Sequence, residues 1–573
     1  MPLCVDVGMA SFLSGLVNET ARSIEFVNED LTAILPSFKD GEARSNEIRA
    51  RAKRNPFTTQ IEITDATSIR VNKHEVRTID DLIDLGLNEQ QLTLLEYNLS
   101  ATVYLEQIYE QSKTQRPKIL HSLEETLNTQ LDFRDLEQTG ALARLFSRLP
   151  QREAFILSDT CGNVDGSTGN PLQNVMCGQI DNAIEYHPIP IAFHHGLSKL
   201  HLVQYDPTAI RSFGTIPERL QPDLAFVATG MIPMHPYTFQ IINRDSPSLA
   251  HADYLNAFTL LSKRSFIPAI GDYQIKTSIP AQISSELRTI DWSTAHDVLY
   301  SSHIVEQLAR KRLLPDRYWV QLSHYAAQAN GDDRTTFFIR DGLQDAVSNA
   351  EHNGVPAELT PITACALTSR NLLTPGKSIM ESMIEFGFHA EELFKAISRS
   401  VIHAQLDLIR VGWVPDSHTQ NVVYLFDFKR KVFAGLLQRD AECEKIHLEK
   451  LRLHGVQMGP SHAVNHKLLR HLVHNDEKLS TLYLHHTIYS KHIVPMANLL
   501  HDRYGMEPAV LCQYIKQCLI DWKVKNADYD IDQDIDLSGR YYERNLACKT
   551  LNIGQPPHYR LIDNHPLLPQ RES

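Results

Sequence analysis

The residues best suited to chemistry stand at the two ends of one short stretch, SHTQNVVYLFDFKRKVFAGLLQRDAE, which begins at Ser417. His418, Gln420 and Asn421 precede an apolar, β-branched run, VVYLFDF. Arg439, Asp440 and Glu442 follow a second run, KVFAGLLQ, with a basic KRK between the two. That pattern predicts a hairpin with a basic turn. Folding it about Arg430 and Lys431 sets Asn421 beside Asp440. The Asn421 amide oxygen and the Asp440 and Glu442 carboxylates then form a hard oxygen site, of the kind Mg2+ occupies together with water and phosphate oxygens. Protein kinases divide labour between one Asn and one Asp in a comparable way around MgATP. A solvated hairpin end, with Asn421 as a cap and Arg439–Asp440 as a surface pair, satisfies the same pattern.

A second group lies upstream. The segment SKRSFIPAIGDYQIKTSIPAQISSELRTI carries Arg264, Lys276 and Arg288 among Ser262, Ser265, Ser284 and Ser285. A strand from Tyr273 to Pro280 would turn Lys276 to the same face as Gln274 and Ser278. A Lys point charge, an Arg fork and neutral hydroxyl donors together suit phosphate or carboxylate recognition. Each cation taken singly also reads as a solvent-facing strand residue.

The elements that must position these groups divide the chain. From the N-terminus to about Phe155 the pattern reads as mostly helical, with helical spacing in DDLIDLGLNEQQLTLLEYNLSATVYLEQIYEQ. DTCGNVDGSTGNPLQN reads as a polar surface loop, since it lacks the GK[ST] of a phosphate-binding loop. The middle region, Ile180 to Pro375, is β-rich, with strand-like runs in PIPIAFHH, LAFVATGMIPMHPYTFQII and RSFIPAI. HAEELFKAISRSVIHAQLDLIRVG reads as an amphipathic helix ended by Gly412 and Pro415. Helices are expected again after the hairpin, including PAVLCQYIKQCLIDWKVK, and the proline-rich tail reads as extended. The class is α+β.

Bulk composition narrows the function. A chain of 573 residues exceeds one core and predicts two to four domains. A net charge of −13 argues against a general nucleic-acid binder while leaving room for a local cationic pocket. Eight cysteines without a CxxC pair read as reduced, cytoplasmic usage. MPLCVDVGMASFLSGLV has no basic lead-in and carries Asp6, so it reads as a helix rather than a secretion signal, and no run is long enough to span a bilayer. The histidines after the hairpin, among them His462, His466, His485, His486 and His492, include no HExxH pair and read as exposed or interfacial helix residues.

Taken together, these stretches resemble the siderophore synthetases that work independently of nonribosomal peptide synthetases, the aerobactin-synthetase-like family. DSHTQN resembles the family's acidic-x-His-x-Gln-Asn motif, LLQRDAE its Arg-Asp motif, and KTSIPAQISSELRTI its Lys segment with Thr/Ser-Ser-x-x-Arg. MHPYTFQ is similar to its His-Pro-Trp-Gln element, and HHGLSKLHLVQYDPTAI to its His-Pro-x-x-Lys segment. The matches run in order from Phe193 to Glu442. There are departures: Ala192 replaces the first His-Pro, Gly196 follows His195, Tyr237-Thr238 replaces Trp-Gln, and Ser284 replaces Thr. The substrate-side changes leave the substrate's identity open.

The resemblance implies a cupped hand: a helical thumb over residues 1–180, β-rich fingers over 181–375 and a largely helical palm over 376–573. It implies ATP contacts from Ser262, Arg264, Ser265, Lys276, Gln420 and Asn421. Substrate contacts would come from His195, Ser284, Ser285, Arg288 and His418, and Mg2+ ligands from Asn421, Asp440 and Glu442, with Arg288, His418 and Lys276 as the catalytic residues. The activity implied is adenylation of citrate or a related carboxylic acid, then condensation with an amine or alcohol, in a cytoplasmic homodimer. A small-molecule kinase and a non-catalytic siderophore- or iron-handling protein are the rival readings.

Overall fold

The computed structural model describes residues 10, 13–14, 16–18, 21–36, 45–57, 61–78, 81–82, 85, 87, 91–92, 136, 138–161, 175–180, 183–188, 197–246, 251–260, 262, 264–283, 286–348, 359–369, 373–374, 376–440, 445–457, 483–533, 541–544 and 559–562. It is an α+β protein. Near the N-terminus the expected helices give way to a five-stranded antiparallel sheet of Ser23–Val27, Asp30–Pro36, Ser45–Arg54, Ile61–Val71 and His74–Glu75. The reason is a period of two. In SNEIRARAKR, Asn46, Ile48, Ala50 and Ala52 point inward while charged residues alternate outward. So few of the inward residues are strongly apolar that the charges conceal the alternation. Most of the long helical pattern beyond Asp80 falls outside the described residues.

An eight-stranded antiparallel sheet dominates the middle. Its order is Met231–Met234, Leu197–Gln204, His251–Thr259, Ser265–Pro268, Tyr273–Thr277, Phe337–Asp341, Ser323–Ala329 and Ile210–Gly214. The run LAFVATGMIPMHPYTFQII, expected to be strand-like, keeps only Met231–Met234 as strand. Pro236–Asp245 is a helix, because Pro236 starts the first turn and His235 caps it by accepting the Tyr237 N–H at 3.0 Å.

A third sheet, of four strands, orders Tyr318–Val320, Val432–Gln438, Val422–Asp427 and Thr360–Thr363 and adjoins the eight-stranded one. The two sheets meet where the chain leaves one for the other. Gln321 follows Tyr318–Val320; its N–H donates to the Gln438 carbonyl at 2.8 Å and its side-chain amide to the Asp341 carbonyl at 2.5 Å. This junction brings the far end of the hairpin against the face of the large sheet.

Ala390–Val411 is an amphipathic helix, as its pattern predicts, and it packs against the second strand of the hairpin. Leu393, Phe394, Ile397, Val401, Ile402, Leu406 and Ile409 form its buried stripe, and Gly412 at φ 91° closes it in the left-handed region. Burying each such side chain stabilises by about 1.5–3 kcal/mol. No helix among the described residues is long and apolar enough to cross a membrane.

Candidate active site

The hairpin forms as expected, Val422–Asp427 against Val432–Gln438, but its register differs by one residue. The turn centres between Lys429 and Arg430, so Asp427 faces Val432; a bulge between Leu425 and Phe426 takes back part of that offset, leaving Val422 facing Gln438 and the Arg439 N–H donating to the Asn421 carbonyl at 2.8 Å. Arg439, rather than Asp440, therefore lies beside Asn421. Asp440 adopts φ 55°, a left-handed conformation that Asp tolerates better than most side chains.

On the facing sheet, Lys276 stands directly opposite Ser265 and Phe338, and Gln274 opposite Arg340. Lys276 and Arg340 are thus diagonal neighbours on one face. Both are almost wholly buried and lie over the Phe338 ring, at 5.5 and 4.8 Å. Lys276 Nζ donates to Asp440 Oδ1 at 3.2 Å, and Arg340 Nη1 donates to the same oxygen. The cationic strand and the hairpin mouth therefore close on each other, which joins the two sequence stretches in one site.

The electrostatics follow from burial. Burial alone would raise the Asp440 carboxyl, but Arg340, Lys276 and Arg439 outweigh it and hold the group far below the ordinary carboxylate range. Arg439 is itself paired, donating to Asp159 Oδ1 at 2.5 Å and to the Gln420 carbonyl at 2.7 Å. Asp159 is anchored by the Thr363 hydroxyl at 2.8 Å. Lys276, Arg340 and Arg439 face Asp440 and Asp159, so positive charge is in excess among these residues.

His418 is half-buried, and burial lowers its pKa; Asp416 and Asp440 oppose the shift, while Lys491 and Arg439 add to it. Its Nδ1 accepts the Gln420 N–H at 3.2 Å, which leaves the proton of the neutral ring on Nε2. His418 is thus built as a hydrogen-bond donor.

Other expected residues fall nearby. Arg264 donates from Nη1 to the Arg288 carbonyl at 3.0 Å and accepts the Thr277 N–H at its own carbonyl at 2.8 Å. The Arg288 carbonyl also takes the Ile279 N–H at 3.1 Å, so Arg288 runs beside the end of the Lys276 strand. Ser262 Oγ accepts the Ser265 N–H at 3.1 Å. Ser265 Oγ is buried and has no hydrogen-bond partner among the described residues, an orphan donor in a cationic setting. His195, Ser284, Ser285 and Glu442 lie outside the described residues.

Thr238, in a position expected on the substrate side, instead donates to the Ser278 carbonyl at 2.7 Å and ties its helix to the Lys276 segment. Among the described residues no cluster of three or more His, Cys, Asp or Glu stands ready for a metal. Sequence reading missed Arg340 and Asp159. A lone Arg in the apolar run FFIRD was the available signal for the first; nothing local marks the second.

No protein-family model matches the chain, and no curated protein does. Solved structures do. The petrobactin biosynthesis protein AsbB from Bacillus anthracis str. Sterne superposes with a TM-score of 0.69 at 12% identity, over 99% of this chain and 95% of that one. Aerobactin synthetase IucC from a hypervirulent Klebsiella pneumoniae pathotype gives 0.65 at 13% identity, covering 99% and 98%. ATP-bound aerobactin synthetase IucA from the same source gives 0.63 at 14%, covering 99% and 100%. The chain has the fold of the aerobactin-synthetase-like proteins.

Proposed function

We propose that this chain is an ATP-dependent siderophore synthetase that adenylates citrate or a related polycarboxylate and condenses it with an amine or alcohol. The single observation that carries the reading is the buried meeting of Lys276 and Arg340 with Asp440, where a cation-rich sheet closes over the hairpin mouth. A fold shared with a structure solved with ATP bound supports it. A cupped thumb, fingers and palm, a cytoplasmic location and a homodimer belong to the same proposal.

A carboxylate is a poor acyl donor because its leaving group would be oxide. In the first half-reaction a carboxylate oxygen attacks the α-phosphorus of ATP; the bond from that phosphorus to the bridging oxygen breaks, and pyrophosphate leaves. In the second, the amine or alcohol attacks the acyl carbon, the bond to AMP breaks, and the nucleophile's proton passes to solvent. Both steps concentrate negative charge, so preorganised cations are the main contribution of the protein.

Lys276, Arg340 and Arg264 hold the triphosphate, with Ser262 and the orphan Ser265 hydroxyl as neutral donors. Arg288, with Ser284 and Ser285, brings the substrate carboxylate to the α-phosphate. Two unit charges about 4 Å apart repel by about 4 kcal/mol at an effective dielectric near 20, the repulsion Arg288 must offset. His418 donates from Nε2 to the reacting carboxylate, His195 lines the substrate side, and Gln420 lies against the nucleotide.

The hard oxygens of Asp440 and Asn421 suit Mg2+, which would take its remaining ligands from Glu442, phosphate and water. When bound, the ion neutralises phosphate charge. Asp440 would hold it while facing Lys276 and Arg340.

The test is ATP–pyrophosphate exchange across a panel of carboxylic acids. Exchange that depends on one polycarboxylate, with AMP as the nucleotide product on adding an amine or alcohol, is expected. ADP as the product, without exchange, would replace the synthetase with a kinase.

A further inference from the structure

The turn that carries His418 is shaped by partners at every peptide. The Pro415 carbonyl takes the Ser417 N–H at 3.0 Å, Asp416 the Asn421 side-chain amide at 2.9 Å, and His418 the Asn421 N–H at 2.8 Å. Thr419 takes the Cys365 N–H at 3.1 Å, while Gln420 and Asn421 take Arg439. The remaining carbonyl, that of Ser417, takes Nε2 of His492 at 2.6 Å. Arg439 belongs to the same hairpin. His492 comes from a separate element, far along the chain.

His492 is buried, contrary to the exposed or interfacial reading of the late histidines, and so is His485. It sits at the end of the π-helix Tyr483–Ile493, which runs directly into the α-helix Val494–Tyr504. Pro495 accounts for the wide turn: it has no N–H to donate, and in an α-helix its ring would crowd the carbonyl four residues back. The ring's protonation is set by its neighbours. A carbonyl can only accept, so the proton lies on Nε2, and Nδ1 accepts the Tyr424 hydroxyl at 2.5 Å. Burial lowers the His492 pKa to about 4; the Ser417 carbonyl opposes the shift and His418 adds to it. Burial also keeps the Tyr424 phenol protonated. Tyr424 lies in the hairpin's own first strand.

We infer that His492 is a positioning residue for His418: through the chain Tyr424 hydroxyl, His492 ring and Ser417 carbonyl it locks the peptide joining Ser417 to His418, and so fixes where His418 Nε2 points. This rests on the adenylation reading of the site. The hydrogen bonds of His492 are to the Tyr424 hydroxyl and the Ser417 carbonyl. It acts as a clamp from behind, and its donor nitrogen, not its charge, is what the turn requires.

The experiment compares His492→Phe, His492→Gln and Tyr424→Phe in the full chain. It reads the kcat and KM for ATP of pyrophosphate exchange, together with the His418 titration by NMR of isotopically labelled histidine. His492→Phe should lower kcat by about 30-fold, by analogy with the roughly 10–100-fold lost when the outer hydrogen-bond partner of a metal-bound side chain is removed. KM for ATP should stay within about threefold, and His418 should titrate closer to the free imidazole value of about 6.5. His492→Gln, which restores a donor, should recover most of the loss. Tyr424→Phe should show a smaller loss of the same kind.

Unchanged kcat and an unchanged His418 titration in folded His492→Phe would overturn the inference, as would a folded Gln variant no better than Phe. Should His492→Phe fail to fold, Tyr424→Phe decides by the same readouts. Absence of exchange in the wild type with every acid defeats the adenylation reading instead, and the His418 titration still decides the clamp.

Discussion

Ion pairs occur in two contrasting settings in this molecule. On the outer face of the N-terminal sheet, Arg49–Glu47, Lys53–Glu62, Arg70–Glu75 and Arg77–Glu75 are substantially exposed to water. At the site, Lys276–Asp440, Arg340–Asp440 and Arg439–Asp159 are removed from it. The strands differ likewise. Ser45–Arg54 alternates buried and exposed, whereas Val422–Asp427 is buried throughout. A one-sided sheet can decorate its free face with charge at little gain or cost. A strand covered on both sides cannot, so its polar groups collect at its ends, where they are desolvated and must be paired. The same residue types lie open to water in one region and are buried in ion pairs in the other.

The contrast can be broken at its strongest point first. Arg288→Ala should reduce acyl-adenylate formation by about a thousandfold, the upper range for losing one preorganised charge donor, while far-ultraviolet circular dichroism stays unchanged. Wild-type-like pyrophosphate release from that variant would remove Arg288 from the chemistry. Asp440→Ala removes the carboxylate that two buried cations, Lys276 and Arg340, share and should destabilise by about 3–5 kcal/mol in denaturant unfolding. It should also raise the Mg2+ concentration needed for half-maximal exchange; an unchanged Mg2+ titration would count against the metal site.

Acid should sharpen the same distinction. The folded state holds His492 and His201 near 4, below the free value of 6.5, so between these pH values the unfolded chain binds more protons. Stability is fully present above about 6.5 and falls as pH drops towards 4. Asp440, whose pKa is depressed, contributes fully above the ordinary carboxylate range and loses that contribution only at still lower pH. Melting temperature against pH should therefore decline in two stages, and His492→Gln should flatten the first. The smallest effect belongs to the exposed sheet: Lys53→Gln, which removes only an exposed partner of Glu62, should change stability by no more than about 1 kcal/mol, and less in high salt. A larger change would mean that the outer face is not free.

Legibility followed the same divide. The helix Ala390–Val411, the hairpin and the α-helix Pro508–Lys525 were visible because apolar periodicity and terminal glycine or proline are local signals. The N-terminal sheet was not, because RARAK alternates alanine with charge and carries little hydrophobic contrast. Arg340 and Asp159 were overlooked because each acquires its meaning from a partner about a hundred residues or more away.

By itself, the order of residues determined which groups could act, Lys276, Arg288, His418, Asn421 and Asp440, and on which kinds of element they would sit. Only the tertiary structure decided the one-residue register of the hairpin, the sharing of Asp440 between two buried cations, and the tautomers of His418 and His492. Composition and spacing act over a few residues. A bulge, a pairing across two sheets and the position of a single proton are set by neighbours that the chain brings together only when it folds.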